Sequence, residues 1–200
     1  MKPRQKIAMK EIRNNKESEI RAVAPETRTV EGYAVVFDSL SKDLGGFTEI
    51  FIRNALDGVL EKSDVFCLLN HDNSRGVLAR SNKGTGSLEL SIDDKGLKYR
   101  FEAPKTALGD ELLEGLWRGD ISPSSFAFTV GSDSWEKRED GSYFRTINSI
   151  KELFDVSPVY QPAYSATSVD TRGLDELKQK EQKEIDEYYQ KLEAKLKWTQ

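Results

Sequence analysis

The sequence predicts an α+β protein that is mainly β: an antiparallel, half-closed β-barrel with flanking helices and a C-terminal helical tail. Three observations carry this. Roughly seven short runs alternate apolar and polar residues, with turn residues between them. Residues 107–118 instead set their leucines at helical spacing. Beyond Gly173, glycine and proline vanish, and Lys, Glu, Gln and Leu dominate. Many short strands with short connections favour closure, because a closed sheet leaves no bare edge.

In chain order, residues 1–22 carry seven Lys and Arg against three Glu and read as a basic arm, flexible or an edge strand. A strand follows over 28–38, where Tyr33, Val35 and Phe37 alternate with smaller or polar neighbours. Asp38 to Gly46 is a polar loop, Phe47 to Ile52 alternates again, and residues 54–61 suit a short helix. The apolar run 65–70 reads as a buried strand ending at Asn70-His71-Asp72. Residues 73–85 read as a long loop. Ser87 to Ile92 and Leu97 to Phe101 flank Asp93-Asp94-Lys95-Gly96, which is hairpin chemistry. Leu108, Leu112, Leu113, Leu116 and Trp117 mark a helix that Gly119 closes. Ser122, Pro123, Ser124 and Ser125 lead into a strand at 126–130, and two more strands lie near 142–149 and 151–160. Pro158, Pro162 and Gly173 close a domain spanning 23–172. Over 173–200 a stripe of Leu174, Leu177, Ile185, Tyr188, Leu192 and Leu196 suits a helical or coiled-coil docking segment.

Composition limits the function. The net charge is −4, so the chain as a whole is not a basic nucleic-acid binder. No apolar run approaches the ~20 residues that span a bilayer, and no signal-peptide pattern opens the chain. A cytoplasmic protein is expected. Cys67, the single cysteine, cannot form an internal disulfide and reads as a buried hydrophobe.

His71 is the only histidine, so any mechanism needing one imidazole must use it and mechanisms needing two are excluded. One histidine and one cysteine make a zinc site a poor fit. Walker and dinucleotide fingerprints are absent, so no cofactor is expected. What remains is a nucleophile with a histidine base and a third group that holds the ring. Ser125 is the last polar residue before Phe126-Ala127-Phe128 and could be both exposed and rigidly held. On residues alone, Ser122, Ser124 and Ser125 equally suit a plain turn. Asn70 and Asp72 read as turn formers. A metal-dependent hydrolase using Asp72 and Asp155 is a further reading.

Taken together, several segments resemble the prohead maturation proteases of tailed bacteriophages, distant relatives of the herpesvirus maturational protease. The segments are Glu31-Gly32-Tyr33-Ala34-Val35-Val36-Phe37, Gly46-Phe47-Thr48-Glu49, Leu68-Leu69-Asn70-His71-Asp72, Gly119-Asp120-Ile121, Ser125-Phe126-Ala127-Phe128 and Leu153-Phe154-Asp155-Val156-Ser157-Pro158-Val159 before Pro162-Ala163. The resemblance implies a herpesvirus-protease-like fold and a Ser-His-acid triad of Ser125, His71 and Asp155. The family more often has Glu at the third position, so Glu152 stands as a rival to Asp155. The implied substrates are the amino-terminal scaffolding segment of the major capsid protein, other prohead components and the protease itself, inside the assembling prohead; the implied partners are the major capsid protein with its scaffolding segment, and the portal. A homo-oligomer is expected, with no membrane and no specific nucleic acid as partner. The turn Pro162-Ala163-Tyr164 is a place to look for oxyanion donors. The alternative is an inactive capsid scaffold or assembly protein that keeps only the fold.

Overall fold

The computed structural model describes residues 9–24, 27–160 and 172–197. The strands are β1 (Lys10–Ala22), β2 (Thr29–Val36), β3 (Phe47–Phe51), β4 (Asp64–Cys67), β5 (Ala79–Asn82), β6 (Thr85–Gly86), β7 (Leu88–Ile92), β8 (Gly96–Glu102), β9 (Ile121–Lys137) and β10 (Tyr143–Tyr160). Helix α1 (Ala107–Arg118) precedes β9, and α2 (Arg172–Lys197) follows β10.

The frame is the β9–β10 hairpin. Its turn closes where Arg138 N donates to Ser142 O and Asp140 Oδ1 accepts from Ser142 N. The sequence reading put two strands in 142–160, but β10 runs through unbroken, with bulges absorbing the irregular pattern. On its other edge β10 pairs in parallel with β3 and, at Asp155 opposite Phe66, with β4. The outer edge of β9 takes β1, which shifts register between Asn14 and Glu19 and then pairs with β2. β1 thereby joins two sheets. The segment read as a basic arm, flexible or an edge strand, is over Lys10–Ala22 an internal strand, paired with β9 and β2. Its alternating charged residues hid it, because Glu11 and Arg13 are buried as ion pairs rather than exposed.

The full order is β6-β5-β4-β10-β9-β1-β2-β8-β7, with β3 beside β10. This corrects the expected half-closed antiparallel barrel. The sheet is mixed, and among the described residues no ladder joins β7 back to β5 or β6, although they lie close. β6 is only two residues long and the chain turns at Ser87 into β7, too short a run to complete the seam. Strand β5 and the first residue of β6 also fall within the stretch read as a loop.

The core is aromatic at its centre. Phe51 stands edge-on to Phe126 and Phe128, with ring centroids 5.3 Å apart in both pairs. Leu112 and Leu113 of α1 are buried in the same core as Leu69, Leu153 and Val156. Thr106 caps α1 through Gly109 N, and Gly119 ends it in the left-handed conformation at φ 79°. Trp117 falls on the outer side, 51% exposed, so the apolar stripe of α1 is narrower than its sequence suggests. At the β2–β8 crossing, a Cβ on Gly96 would stand 1.9 Å from the Val35 carbonyl oxygen. Gly96→Ala is expected to destabilise the fold by about 3 kcal/mol, read as a lowered denaturant midpoint at unchanged slope.

Leu174 of α2 is buried, and Glu181 accepts from Lys137 Nζ at 2.8 Å and from Tyr143 Oη at 3.0 Å. Farther along, Ile185, Tyr188 and Tyr189 are exposed. Leu192 and Leu196 lie on the helix, but their side chains fall outside the described residues.

Candidate active site

Alternation along β9 sends Phe126 and Phe128 into the core and Ser125 and Ala127 to the opposite face. The ladder sets Ser157 opposite Ser125 and Asp155 opposite Ala127. Ser125 and Asp155 are thus diagonal neighbours on one face, a separation that one imidazole ring bridges. The segment read as a possible serine turn is strand, and Ser124 is committed elsewhere, sharing a 2.6 Å hydrogen bond with Tyr99 Oη.

The imidazole arrives from β4. The strand ends at Cys67, and a tight turn over Leu69–His71 follows. Asn70 and His71 both adopt left-handed backbone, at φ 56° and 60°. Asn and His tolerate this region better than most residues, yet each such position costs on the order of 1 kcal/mol or more. Buried Leu69 fixes one end of the turn. At the other end Asp72 Oδ1 accepts from Ser74 N and Ser74 Oγ, at 2.9 and 2.6 Å. Arg75 then pairs with Glu111 of α1, which also accepts from Tyr160 Oη at 2.7 Å.

The turn directs His71 between the two strands. Its Nε2 lies 2.6 Å from Ser125 Oγ, and its Nδ1 lies 2.5 Å from Asp155 Oδ1. The three sequence candidates therefore converge in one hydrogen-bonded series. Glu152, the rival acid, is exposed, three residues along the strand from the carboxylate that meets the ring. Pro162-Ala163-Tyr164 lies outside the described residues.

The series has further partners that sequence reasoning missed. The Arg13 carbonyl oxygen lies 3.0 Å from Ser125 Oγ, a second acceptor that competes with His71 Nε2 for the single hydroxyl hydrogen. Ser157 Oγ donates to Asp155 Oδ1 at 2.8 Å, and Lys10 Nζ stands 3.2 Å from Asp155 Oδ2. A signal for Ser157 was present, since a residue two places along a strand shares a face with Asp155. Nothing in the pattern pointed to Lys10 or to the Arg13 carbonyl, because both depend on the placement of β1. That placement rests on a buried ion cluster. Arg13 pairs with Glu11 and Glu49, and Arg145 meets Glu11 at 2.9 Å, Glu49 at 3.3 Å and Asp133 at 2.7 Å.

The electrostatics favour an ionised acid beside the ring. Burial opposes the charge on Asp155, but the His71 bond and charge, the Ser157 hydroxyl and the Lys10 ammonium outweigh it. Together they hold the carboxyl below the usual aspartate range. A depressed folded value stabilises above the unfolded value and is lost as pH falls through the folded one. Wild type is therefore expected to lose stability below about pH 4 more steeply than Asp155→Asn, comparing denaturant midpoints at pH 7 and pH 3. Burial, with Asp155's charge second, pushes the Cys67 thiol well above its ordinary value, so it packs as an apolar group. Among the described residues no three His, Cys, Asp or Glu side chains are grouped to hold a metal ion. None of the described helices is long and apolar enough to cross a membrane.

A hydroxyl bonded to an imidazole that is bonded in turn to a buried carboxylate is the arrangement used by hydrolases of the serine type. The match to known families is of the same class. The chain belongs to the caudovirus prohead serine protease family, whose model matches residues 16–181. A solved structure, that of the bacteriophage T4 capsid assembly protease, is similar to it with a TM-score of 0.42 and 12% identity, over 77% of this chain and 97% of that one. That likeness is too slight to assign a fold or a role. No curated protein matches the chain.

Proposed function

We propose that this protein is a prohead endopeptidase of herpesvirus-protease-like fold that cuts the scaffolding segment of the major capsid protein, other prohead components and itself during capsid maturation. The observation that carries the reading is the hydrogen-bonded series Ser125–His71–Asp155 in a chain of this family. Ser125 Oγ attacks the scissile carbonyl carbon while His71 Nε2 takes its proton. The tetrahedral intermediate collapses as His71 returns that proton to the leaving amine. Water then hydrolyses the acyl-enzyme by the same exchange. Asp155 holds Nδ1–H and stabilises the imidazolium. Ser125 is fully enclosed in this conformation, so a substrate reaches Oγ only after the segments around it shift.

The solvent-facing residues of α2 suit a contact with scaffolding helices inside the prohead, which would carry the enzyme into the shell. Co-expression with the major capsid protein tests the activity: processed capsid protein on a gel supports it. A wild-type chain that never cleaves under assembling conditions favours the alternative, an inactive assembly protein. Self-cleavage is expected as a loss of mass on incubation of wild type, and an unchanged full-length mass while capsid protein is being cut counts against it.

A further inference from the structure

An aspartate carboxylate turns easily about its last torsion, whose energy profile is broad and two-fold. Holding Nδ1–H of an imidazole in one orientation requires that this rotation be stopped. Asp155 is 2% exposed, so water does not orient it, and its two oxygens have separate protein partners besides His71. Ser157 Oγ reaches Oδ1, the oxygen that also meets the ring, and Ser157 is wholly buried. Lys10 Nζ reaches Oδ2, with its ammonium 5.2 Å from the Phe154 ring centroid. The first partner comes from the same strand, two residues on. The second comes from β1, across β9. We propose that Ser157 and Lys10 are positioning residues that clamp the Asp155 carboxylate at both oxygens and so set the orientation of His71 toward Ser125. This rests on the proposed triad and adds two residues to its support.

The chemistry asks for both points. A hydroxyl donor on Oδ1 fixes that oxygen in the plane of the imidazole N–H but leaves Oδ2 free to swing. A cation on Oδ2 completes the restraint. It also offsets part of the cost of burying the acid's charge before any imidazolium forms. Neither group touches the reacting atoms. The charge of Asp155 also reaches Cys67 of β4, whose thiol burial keeps neutral.

Because His71 is the only histidine, the Nδ1–H it directs at Asp155 is expected to give one far-downfield proton resonance, readable on the full-length protein without any turnover. In Ser157→Ala that resonance is expected to move or broaden. Its kcat on purified major capsid protein is expected to fall roughly 10- to 100-fold at unchanged KM, the usual scale for removing an outer support. Ser157→Thr restores both readouts. Lys10→Met gives a smaller loss of the same kind, since its ammonium is half exposed and screened by water, and Lys10→Arg restores it. If wild type cleaves and Ser157→Ala matches it in kcat and in the resonance, the clamp is overturned and the protease reading stands. If wild type never cleaves yet shows the resonance, and Ser157→Ala displaces it, the clamp stands and the protease reading fails.

Discussion

Ser125→Ala and His71→Ala are each expected to reduce cleavage of the major capsid protein by on the order of 10⁴- to 10⁶-fold. Combining them should be no worse than either alone. The reason is the shared proton. Oγ is a poor nucleophile until Nε2, 2.6 Å away, accepts its hydrogen. Removing donor or acceptor removes the same step, so the two losses are not additive. Asp155→Asn is expected to lose somewhat less. The amide can still lie beside the ring, but it can present N–H where the imidazole needs an acceptor, and it favours the wrong tautomer. Initial rates on purified capsid protein, followed by gel densitometry, measure all four variants. Activity of Ser125→Ala within tenfold of wild type would remove the nucleophile from this account.

The largest effect on stability is expected at Arg145. It is 3% exposed and faces Glu11, Glu49 and Asp133. Burial opposes its charge, but those carboxylates outweigh burial and pull its pKa up. Arg145→Met leaves two fully buried glutamates sharing only Arg13. An uncompensated buried charge costs about 3–5 kcal/mol, which for a chain of this size lowers Tm by roughly 6–20 °C. The companion variant separates charge from packing. Adding Glu11→Leu to Arg145→Met leaves the Arg13–Glu49 pair intact and is expected to recover most of the loss. A double variant no more stable than the single would mean that shape, not charge balance, dominates there.

Both results bear on what the sequence made legible. The helix at 107–118 and the hairpin around Asp93-Gly96 were readable because their signals are local: spacing, caps and turn residues. The meeting of His71, Ser125 and Asp155 in space was expected because uniqueness and resemblance together left few other candidates. The route of β1 was not. Its alternation places Glu11 and Arg13 inward, and a pattern rule reads inward charge as surface. Only their partners on β3 and β10, far off in the chain, make the burial affordable. Lys10 and the Arg13 carbonyl meet the site through that same route, so they stayed hidden with it. The parallel pairing of β3 and β4 with β10 was also out of reach, since no short turn announces it. The backbone of the Asn70-His71 turn was invisible for another reason, as residue type allows that conformation without requiring it.

That turn has a thermal consequence. Two of the three groups of the proposed triad ride one long ribbon of paired strands, whereas the third hangs from a short, left-handed bend held by Leu69, Asp72 and the Arg75–Glu111 pair. Local opening claims the least-supported segment first. On warming, the bend should let go of the imidazole while the ribbon remains intact. Catalysis would then fade several degrees before the protein melts.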